Sequence, residues 1–582
     1  MDNQKLFRSR HSLAHVLLMA IKHHFPHSRP TIGPVIENGF YYDIDFTGGP
    51  KVTQDDFPKI EKTMRDVIAR KLPFIQETIS AGEALGLFSE NPFKIELIQG
   101  IANTDSDITI YRTGDDFFDL CEGPHVENTS DIDPESFSLD KLAGAYWRGD
   151  EKREMLTRIY GLAFESKEAL ETYKAQIEEA KKRDHRVLGR ELKLFTFSDL
   201  VGPGLPLWTP RGTILRQKID EYVQSLRAEY KYQPVAIPHI TKKDLYIKSG
   251  HWEKYAEDLF KIETRDGRTY CMKPMNCPHH TQIYSSELRS YKELPIRYSE
   301  TTMVYRDEQS GELSGLSRVL SITQDDAHVF CRESQLETEI ENIWNLIQTF
   351  YNTFGFSELT PRFSRRDTDP KFKGADEFWH KAETAIKNLI EKKSPHNWVD
   401  GEGEAAFYGP KVDFMAKDSL GRVLQVGTIQ VDFVQPSNFE LECVNEEGRR
   451  EGIVMIHCAI AGSLERFLSI YIEHTAGNFP LWLSPMQVSV IPIAEKHHEY
   501  AQKIANRLQE KGIRFELLDD KDGLGKKVRK AKEMKTPYWL VIGDKDIEAG
   551  KVTLESRDHG QIGQVDVAEL LARLVQEIED KK

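Results

Sequence analysis

Residues 305–331 (YRDEQSGELSGLSRVLSITQDDAHVFC) bring cations, carboxylates, an amide and an imidazole into one short segment. Arg306 and Glu308 are two residues apart, so on a strand they would face the same side. An arginine beside an acid suits a nucleotide, because a guanidinium group binds phosphates and a carboxylate accepts hydrogen bonds from an amino group. A polar hairpin with ordinary ion pairs explains these residues about equally well, so both interpretations stay open for the segment alone.

Three polar residues alternate further along the same segment. A glycine-containing loop leads to Arg318, after which Gln324, Asp326 and His328 would share one face of a second strand. An amide, a carboxylate and an imidazole on one face suit a small polar substrate or a metal ion. The segment therefore predicts two neighbouring binding functions on two strands.

Further motifs accompany this segment along the chain. They are MNCPHH at residues 275–280, YGPK at 408–411, LQVGT around Gln425, and IHCAIAGSLERF at 456–467. The YRDE and GSLER sequences resemble motifs 2 and 3 of class II aminoacyl-tRNA synthetases. Together with MNCP and TQDDAH they resemble the threonyl-tRNA synthetase family, in the order of that family and over essentially the whole chain.

This resemblance implies ATP-dependent activation of L-threonine and its transfer to tRNA(Thr), with Mg²⁺ bridging the phosphates of ATP. The ATP site is then expected at Arg306, Glu308, Arg318, Gln425, Thr428, Ser463 and Arg466. The threonine site is expected at Met275, Gln324, Asp326, Tyr408, Gln430 and Ala459. The expected catalytic residues are Arg306, Arg466, Lys411 and, as a general base for transfer to the terminal ribose, His251.

In this family, the need to select threonine and reject valine predicts a metal ion in the active site. Threonine and valine have the same shape, and an apolar pocket separates such isosteres by only about a hundredfold. By resemblance we expect one zinc ion per subunit on Cys277, His328 and His457, with threonine at the open position. These ligands lie too far apart for their spacing to reveal a metal. Without the resemblance they would be a buried thiol and two core histidines.

Serine carries the hydroxyl group and lacks only a methyl group, worth about 1–3 kcal/mol, so a second, hydrolytic site is expected. His11 and His15 are spaced i, i+4 on one helical face, and Cys121 and His125 form a C-x₃-H pair. This combination resembles the editing domain of threonyl- and alanyl-type enzymes, which adds Tyr42, Lys94 and Asp119 to the expected pocket. The same four residues also suit zinc, and we favour the metal-free interpretation because the threonyl family is understood to work without metal there.

The bulk composition limits the class of protein. No run of 18 apolar residues would span a membrane, and the N-terminal sequence lacks the apolar core of a signal peptide. Six cysteines without tight spacing indicate a reducing compartment, so we expect a cytoplasmic protein without membrane contact. The net charge of −15 does not exclude tRNA, because binding depends on local basic patches such as those from Lys181 and Gly525.

At 582 residues the chain predicts several domains in an α+β multidomain protein. The expected parts are an α+β editing domain (1–165), a helical linker (166–190), a class II antiparallel-sheet catalytic domain (191–485) and an α/β anticodon-binding domain (486–582). The helix and strand pattern over residues 212–240 resembles motif 1 and predicts a homodimer contact. By comparison with the family, we expect the N-terminal ubiquitin-like domain to be absent.

Two other functions compete with the full enzyme. A non-catalytic synthetase-like RNA-binding protein would usually lack an ATP arginine or a metal ligand, and here those residues are present. A zinc hydrolase attached to an unrelated body would bind metal near His11 and would leave YRDE and GSLER unexplained. Threonine-dependent exchange of pyrophosphate into ATP separates all three.

Overall fold

A computed structural model describes residues 3–103, 107–115, 117–519 and 521–582. The chain divides into two compact units, residues 1–178 and 179–582. The helix α5 (Lys167–Arg183) crosses this boundary. Within the described residues, no helix is long and apolar enough to cross a membrane.

The first unit combines helices with two antiparallel sheets. Its other helices are α1 Asn3–His24, α2 Phe57–Ala69, α3 Ala81–Leu87 and α4 Pro92–Ala102. Its strands are β1 Arg29–Pro30, β2 Val35–Ile36, β3 Gly39–Asp45, β4 Phe74–Ile79, β5 Ile108–Thr113, β6 Phe117–Leu120, β7 Phe137–Tyr146 and β8 Met155–Ala163. One sheet has the order β1-β3-β8-β7 with β2 beside β3, and the other has the order β4-β5-β6.

Helix α1 is the central helix of this unit. Apart from the partly buried Met19, its apolar residues from Leu13 to Ile21 are at most 1% exposed, and it packs against β3 and α2. His11 lies at the edge of this buried face and His15 within it. The i, i+4 spacing therefore places both imidazoles on the side of the helix that faces the rest of the unit.

The second unit contains the larger core. Its helices are α6 His185–Glu191, α7 Pro210–Glu229, α8 Lys243–Lys248, α9 His251–Lys254, α10 Cys277–Ser285, α11 Leu336–Thr353, α12 Asp376–Lys393, α13 Val434–Asn438, α14 Leu464–His474, α15 His498–Glu510, α16 Leu524–Glu533, α17 Asp544–Ala549 and α18 Val567–Glu579. Its short strands outside the two main sheets are β9 Phe195–Thr196, β10 Leu207–Trp208, β12 Ile240–Lys242, β13 Lys261–Glu263, β14 Thr269–Met272, β15 Arg289–Ser290, β22 Glu442–Val444 and β23 Arg450–Gly452.

An eight-stranded sheet forms the centre of the second unit. Its strands are β11 Gln233–Pro234, β16 Ile296–Tyr305, β17 Ser321–Cys331, β18 Leu359–Arg365, β19 Val399–Glu402, β20 Lys411–Lys417, β21 Val423–Asp432 and β24 Val454–Ser463. The order is β11-β16-β17-β24-β21-β20-β18-β19, antiparallel except for the two edge pairs. Helices α7, α11 and α14 supply apolar side chains to the same core.

The C-terminal sheet has the order β26-β25-β27-β28-β29, with β25 Val488–Pro492, β26 Phe515–Leu517, β27 Tyr538–Ile542, β28 Lys551–Ser556 and β29 Gly560–Asp566. Strands β26, β25 and β27 are parallel, and β28 and β29 are antiparallel additions. This mixed sheet with helices agrees with the α/β fold expected for residues 486–582.

Three local predictions differ from the structure. The charged helix expected from residue 166 to residue 190 is broken at Asp184, whose side chain accepts from the N–H of Arg186 and starts α6. Strand β16 ends at Tyr305, so the strand expected to carry Arg306 and Glu308 stops just before them. Of the strand-like QPVAIPHI, only Gln233, Pro234 and the last residue lie in strands, which fits the proline content of that segment.

Candidate functional site

A thiol and two imidazoles meet at the middle of the large sheet. His328 on β17 and His457 on β24 are directly paired across the antiparallel ladder. Cys277 is the first residue of α10, where unpaired backbone N–H groups favour a negative ligand. The ligand atoms of all three residues lie within 4.8 Å of one another, and all three side chains are buried.

Hydrogen bonds orient both imidazoles toward one point. Nε2–H of His457 donates to the carboxylate of Asp432 at 2.8 Å, which leaves Nδ1 of His457 unprotonated. That Nδ1 lies 3.1 Å from Nε2 of His328, whose other nitrogen lies 2.8 Å from Nδ1 of His280. Burial lowers the pKa of His328 and raises the pKa of the Cys277 thiol. A cysteine sulfur, which releases its proton when a metal binds, and two imidazoles with a carboxylate behind one of them form a donor set that fits zinc.

The residues predicted for the amino acid surround this cluster. Asp326 accepts from the amide of Asn276 at 2.9 Å, and its carboxylate lies 3.9 Å from Nε2 of His328. Tyr408 donates to Gln430 at 2.6 Å and its ring stacks on His457. The other two predicted positions contribute backbone: Met275 accepts from Tyr246 through its carbonyl group, and Ala459 pairs with Asp326 in the ladder.

A cavity of about 690 Å³ opens beside the cluster. Eight of the predicted residues line it: Arg306, Glu308, Arg318, Gln324, Gln425, Gln430, Ser463 and Arg466. Gly462 has a φ of +74°, which a residue with a side chain rarely adopts, and it turns β24 into α14. Ser463 caps that helix by accepting from the N–H of Arg466, so Arg466 lies in its first turn.

The carboxylate of Glu308 is paired with Arg318 in this structure. Nε of Arg318 donates to Glu308 at 2.8 Å, and Arg318 also contacts Glu312 at 3.0 Å. Such ion pairs are the ordinary alternative considered for this segment. Both side chains still face the cavity, and Arg318 is about half exposed, so a phosphate can compete for its guanidinium group.

The sequence interpretation missed Asp413, whose carboxylate binds Gln425 of the cavity lining. Its side chain is fully buried and accepts from Lys411 at 2.7 Å, from Gln425 at 2.8 Å and from Thr428 at 3.2 Å. Arg362 on β18 donates to the same carboxylate at 3.0 Å. The alternation of Lys411 and Asp413 on one strand was the available signal, because residues two apart share a face.

A second buried carboxylate joins the three class II motifs. Asp325 is fully buried on β17 and accepts from the N–H groups of Ile460, Ala461 and Gly462 on β24. Arg227 on α7 lies 3.4 Å from the same carboxylate. The carboxylate of Asp325 therefore holds the turn that leads to Arg466, and Arg227 of α7 pairs with the same carboxylate.

His251 lies behind the cluster rather than in the 690 Å³ cavity. It is fully buried, its Nδ1 lies 2.8 Å from the hydroxyl of Ser249, and its Nε2 lies 3.8 Å from the sulfur of Cys277. Burial lowers the pKa of His251 to about 4, so the ring is neutral at pH 7. Its role as a base in transfer stays a prediction.

The first unit contains a similar cluster of His11, His15, Cys121 and His125. The sulfur of Cys121 lies 3.3 Å from Nε2 of His11 and 3.2 Å from Nε2 of His125. The outer nitrogen of His11 contacts the carbonyl group of Pro124, and that of His125 contacts the hydroxyl of Ser12. His11 and Cys121 are partly exposed to a cavity of about 520 Å³.

A buried carboxylate and a buried ammonium group lie beside this cluster. Lys94 pairs with Asp119 at 2.6 Å, and Tyr42 donates a hydrogen bond to the same carboxylate. Nε2 of His15 lies 4.0 Å from Asp119, and all the predicted editing residues except His125 line the cavity. Burial lowers the pKa of His15 and raises that of Cys121 to about 12, so the thiol is neutral at pH 7.

The chain is similar over almost its whole length to known threonine–tRNA ligases. Threonine–tRNA ligase of Thermosynechococcus vestitus is 46% identical over 583 residues, covering 98% of this chain and 95% of the relative. That of Gloeobacter violaceus is 48% identical over 588 residues, covering 98% and 92%. The chain belongs to the threonine–tRNA ligase family. It is therefore a class II aminoacyl-tRNA synthetase, as the motifs predicted.

Family models match three parts of this synthetase. The "tRNA synthetase class II core domain (G, H, P, S and T)" matches residues 260–475, the "Anticodon binding domain" matches 487–577, and the "Threonyl and Alanyl tRNA synthetase second additional domain" matches 108–160. The predicted fold class is confirmed by these matches. A crystal structure titled as the RNA binding domain of threonyl-tRNA synthetase from Cryptosporidium parvum Iowa II is similar with a TM-score of 0.65, 35% identity, and coverage of 68% of this chain and 98% of the other.

Proposed function

We propose that this synthetase activates L-threonine with ATP, transfers it to tRNA(Thr) and hydrolyses seryl-tRNA(Thr) at a second site. The observation that carries the proposal is the Cys277, His328 and His457 cluster, which shares strands β17 and β24 with residues that line the 690 Å³ cavity. A metal-suited donor set beside an arginine-lined cavity is what selection of a hydroxy amino acid and activation of its carboxylate require together.

Activation joins two anions, the carboxylate of threonine and the α-phosphate of ATP. We assign Arg306 to both groups, Arg466 and Arg318 to the outer phosphates, and Glu308 to the adenine amino group. A class II synthetase uses ATP with Mg²⁺, which neutralises part of the phosphate charge. Gln425 and Ser463 add polar groups to the cavity lining. Lys411 and Thr428 lie outside this lining and bind, with Gln425, to the carboxylate of Asp413.

We assign zinc to Cys277, His328 and His457. The donor set fits because the tautomer fixed by Asp432 directs Nδ1 of His457 toward His328. Zinc bound there would bind the amino and hydroxyl groups of threonine and so reject valine. Asp326, Gln430 and Tyr408 lie close enough to orient the amino acid, with Gln324, Met275 and Ala459 forming its surroundings.

We infer that the His11, His15, Cys121 and His125 site hydrolyses the ester with a hydrogen-bonded water and without metal. Lys94 neutralises the carboxylate of Asp119 beside the cluster, so this carboxylate attracts a metal cation less strongly. The pKa of Cys121, raised to about 12 by burial, argues against a thiolate nucleophile at pH 7. The neutral imidazoles can accept a proton from the attacking water.

Membership of the family also suggests an oligomeric state and a cellular location. We propose a homodimer through the 212–240 region, where β11 is an exposed edge strand of the large sheet. Sedimentation that shows only monomer would contradict it. We also propose a cytoplasmic location, which the six free thiols support.

Threonine-dependent exchange of labelled pyrophosphate into ATP tests activation. We expect exchange with threonine, weaker exchange with serine and almost none with valine, together with one zinc per chain by elemental analysis. Equal exchange with valine would contradict the metal assignment, and no exchange with any amino acid would contradict the proposed activity. For a variant that removes the thiol of Cys277, C443A is the matched control, because Cys443 is a buried thiol outside the cluster.

Replacing His11 and Cys121 together with alanine tests the editing site. We expect threonine-dependent exchange to stay normal while seryl-tRNA(Thr) accumulates. H23A is the control, because His23 is an exposed histidine of the same helix. Unchanged mischarging in the double variant would remove the editing assignment.

A further inference from the structure

A third group of metal-type side chains lies outside both sites: Asp184, His185 and Glu473. Both nitrogens of His185 are already engaged. Nδ1–H donates to the carboxylate of Glu473 at 2.6 Å, and Nε2 accepts from the backbone N–H of Leu316 at 3.0 Å. A ring with both nitrogens bonded has no lone pair left for a metal, so the group has a different purpose.

Leu316 lies at the tip of a tight turn that carries Arg318. The ends of this 314–318 turn are joined by hydrogen bonds between the backbones of Ser314 and Arg318. Gly315 has a φ of +51°, and a Cβ atom there would lie 2.3 Å from Nε2 of His185. The turn therefore approaches the imidazole so closely that only glycine fits.

His185 also contacts the helix that starts with the other phosphate-site arginine. Glu473 lies in the last turn of α14, accepts from the backbone N–H of His185 at 3.1 Å and pairs with Arg422 at 2.5 Å. The hydroxyl of Ser317 donates to Ser469, one turn after Arg466 on the same helix. The 314–318 turn is thus attached to α14 directly and through His185.

We propose that His185 is a positioning residue that holds the 314–318 turn against α14, so that Arg318 and Arg466 keep the spacing needed for one ATP molecule. This role rests on the ATP site in the proposed function. Ser317, Arg318 and Arg466 line the 690 Å³ cavity, whereas His185 is 4% exposed and does not line it. His185 therefore acts through the turn and does not touch the nucleotide.

The expected effect is specific to ATP. Without an acceptor at Nε2, the buried N–H of Leu316 loses its partner and the docked turn becomes less favourable. Arg318 then occupies its ATP-binding position in a smaller fraction of the molecules. The apparent affinity for ATP falls in proportion to that fraction. Among the described residues, no hydrogen bond joins this turn to the residues on β17 and β24 that we assign to the substrate threonine. The affinity for threonine should therefore stay unchanged.

Three variants separate the two hydrogen bonds of the ring. H185F removes both, H185N keeps a donor near the Nδ1 position, and H185Q places an amide oxygen near the Nε2 position. In pyrophosphate exchange, we expect H185F and H185N to raise KM for ATP about tenfold, with KM for threonine within about twofold of wild type. H185Q should recover most of the ATP affinity, and calorimetric titration with Mg·ATP should show the same order.

The control is H497F. His497 is an equally buried histidine in the C-terminal part of the chain that also accepts from a backbone N–H and contacts a carboxylate. It should leave KM for ATP unchanged. If H185F does not fold, the H185Q and H185N pair carries the test.

Equal KM values for ATP in H185Q and H185N, or parallel losses for ATP and threonine, would overturn the positioning role. An inactive wild-type enzyme would contradict the proposed function instead, and the calorimetric order of the variants would still test His185.

Discussion

The two histidine–cysteine clusters have similar ligands and different surroundings. The catalytic cluster of Cys277, His328 and His457 is buried in the middle of a sheet, with the carboxylates of Asp326 and Asp432 behind it. The proposed editing cluster opens to a cavity and lies next to the buried ion pair of Lys94 and Asp119. Carboxylates without a paired ammonium group favour a cation, whereas a carboxylate already neutralised by an ammonium group attracts a cation less strongly.

In each histidine, the contacts of the ring nitrogen that points away from the cluster show the same contrast. His457 donates to a carboxylate, as metal-bound histidines usually do. In the editing cluster, His125 contacts the hydroxyl of Ser12, and His11 contacts a backbone carbonyl group. The type and spacing of the ligands do not distinguish a metal site from a hydrolytic site; the charges in the next layer do.

The largest expected effect comes from removing one cysteine from each cluster. C277A should bind zinc about a thousandfold more weakly, because one ligand of a site worth about 10–16 kcal/mol supplies about 4 kcal/mol, and threonine activation should fall with the loss of the metal. C121A should keep one zinc per chain and normal activation. Elemental analysis and pyrophosphate exchange on both variants check this, and a loss of zinc from C121A would break the contrast.

A smaller effect is expected from the carboxylate behind the metal ligand. D432N should weaken zinc binding by about 10- to 100-fold, because the amide stabilises the bound imidazole less well than a carboxylate. Competition with a chelator, followed by the loss of exchange activity, measures the change. Wild-type zinc retention in D432N would mean that Asp432 serves only the fold.

The pH dependence of stability should differ between wild type and variants of the editing cluster. Burial lowers the pKa of His15 and of His125, so the unfolded chain binds more protons as the pH falls below 6.5. The stabilisation is complete above that pH and is lost on acidification, by about 0.7 kcal/mol for each histidine between pH 7 and pH 6. Denaturant unfolding of wild type and H15Q at both pH values should show a shallower dependence in H15Q, and identical slopes would exclude a buried neutral His15.

An effect of similarly small size is expected from the hydroxyl group behind His125. S12A removes a neutral hydrogen bond worth about 1 kcal/mol, so deacylation of seryl-tRNA should slow by about fivefold. Threonine activation should not change. A loss as large as that expected for D432N would show that the hydroxyl group and the carboxylate do equivalent work.

The sequence predicted the fold class, because the motifs and the periodic patterns of the elements are local signals. It placed His11 and His15 on one helix face. The ends of elements were less predictable. Nothing local shows that β16 stops at Tyr305, or that an aspartate cap breaks the linker helix at Asp184.

The contacts that orient the site residues could not be predicted from the sequence. Asp413, Asp432 and Asp325 are ordinary strand aspartates until the sheet order places them beside their partners. His185 lies 131 residues from Leu316 and 288 from Glu473. Such pairings depend on tertiary packing, which carries no spacing signal.

Strand β17 carries Gln324 in the 690 Å³ cavity and His328 in the cluster with Cys277 and His457, four residues apart on one face. Inserting or deleting a single residue between them would turn one of the two side chains toward the opposite face of the sheet. Evolution can therefore exchange side chains along this strand but cannot change its length. Any redesign for another amino acid has to keep the same two-residue repeat.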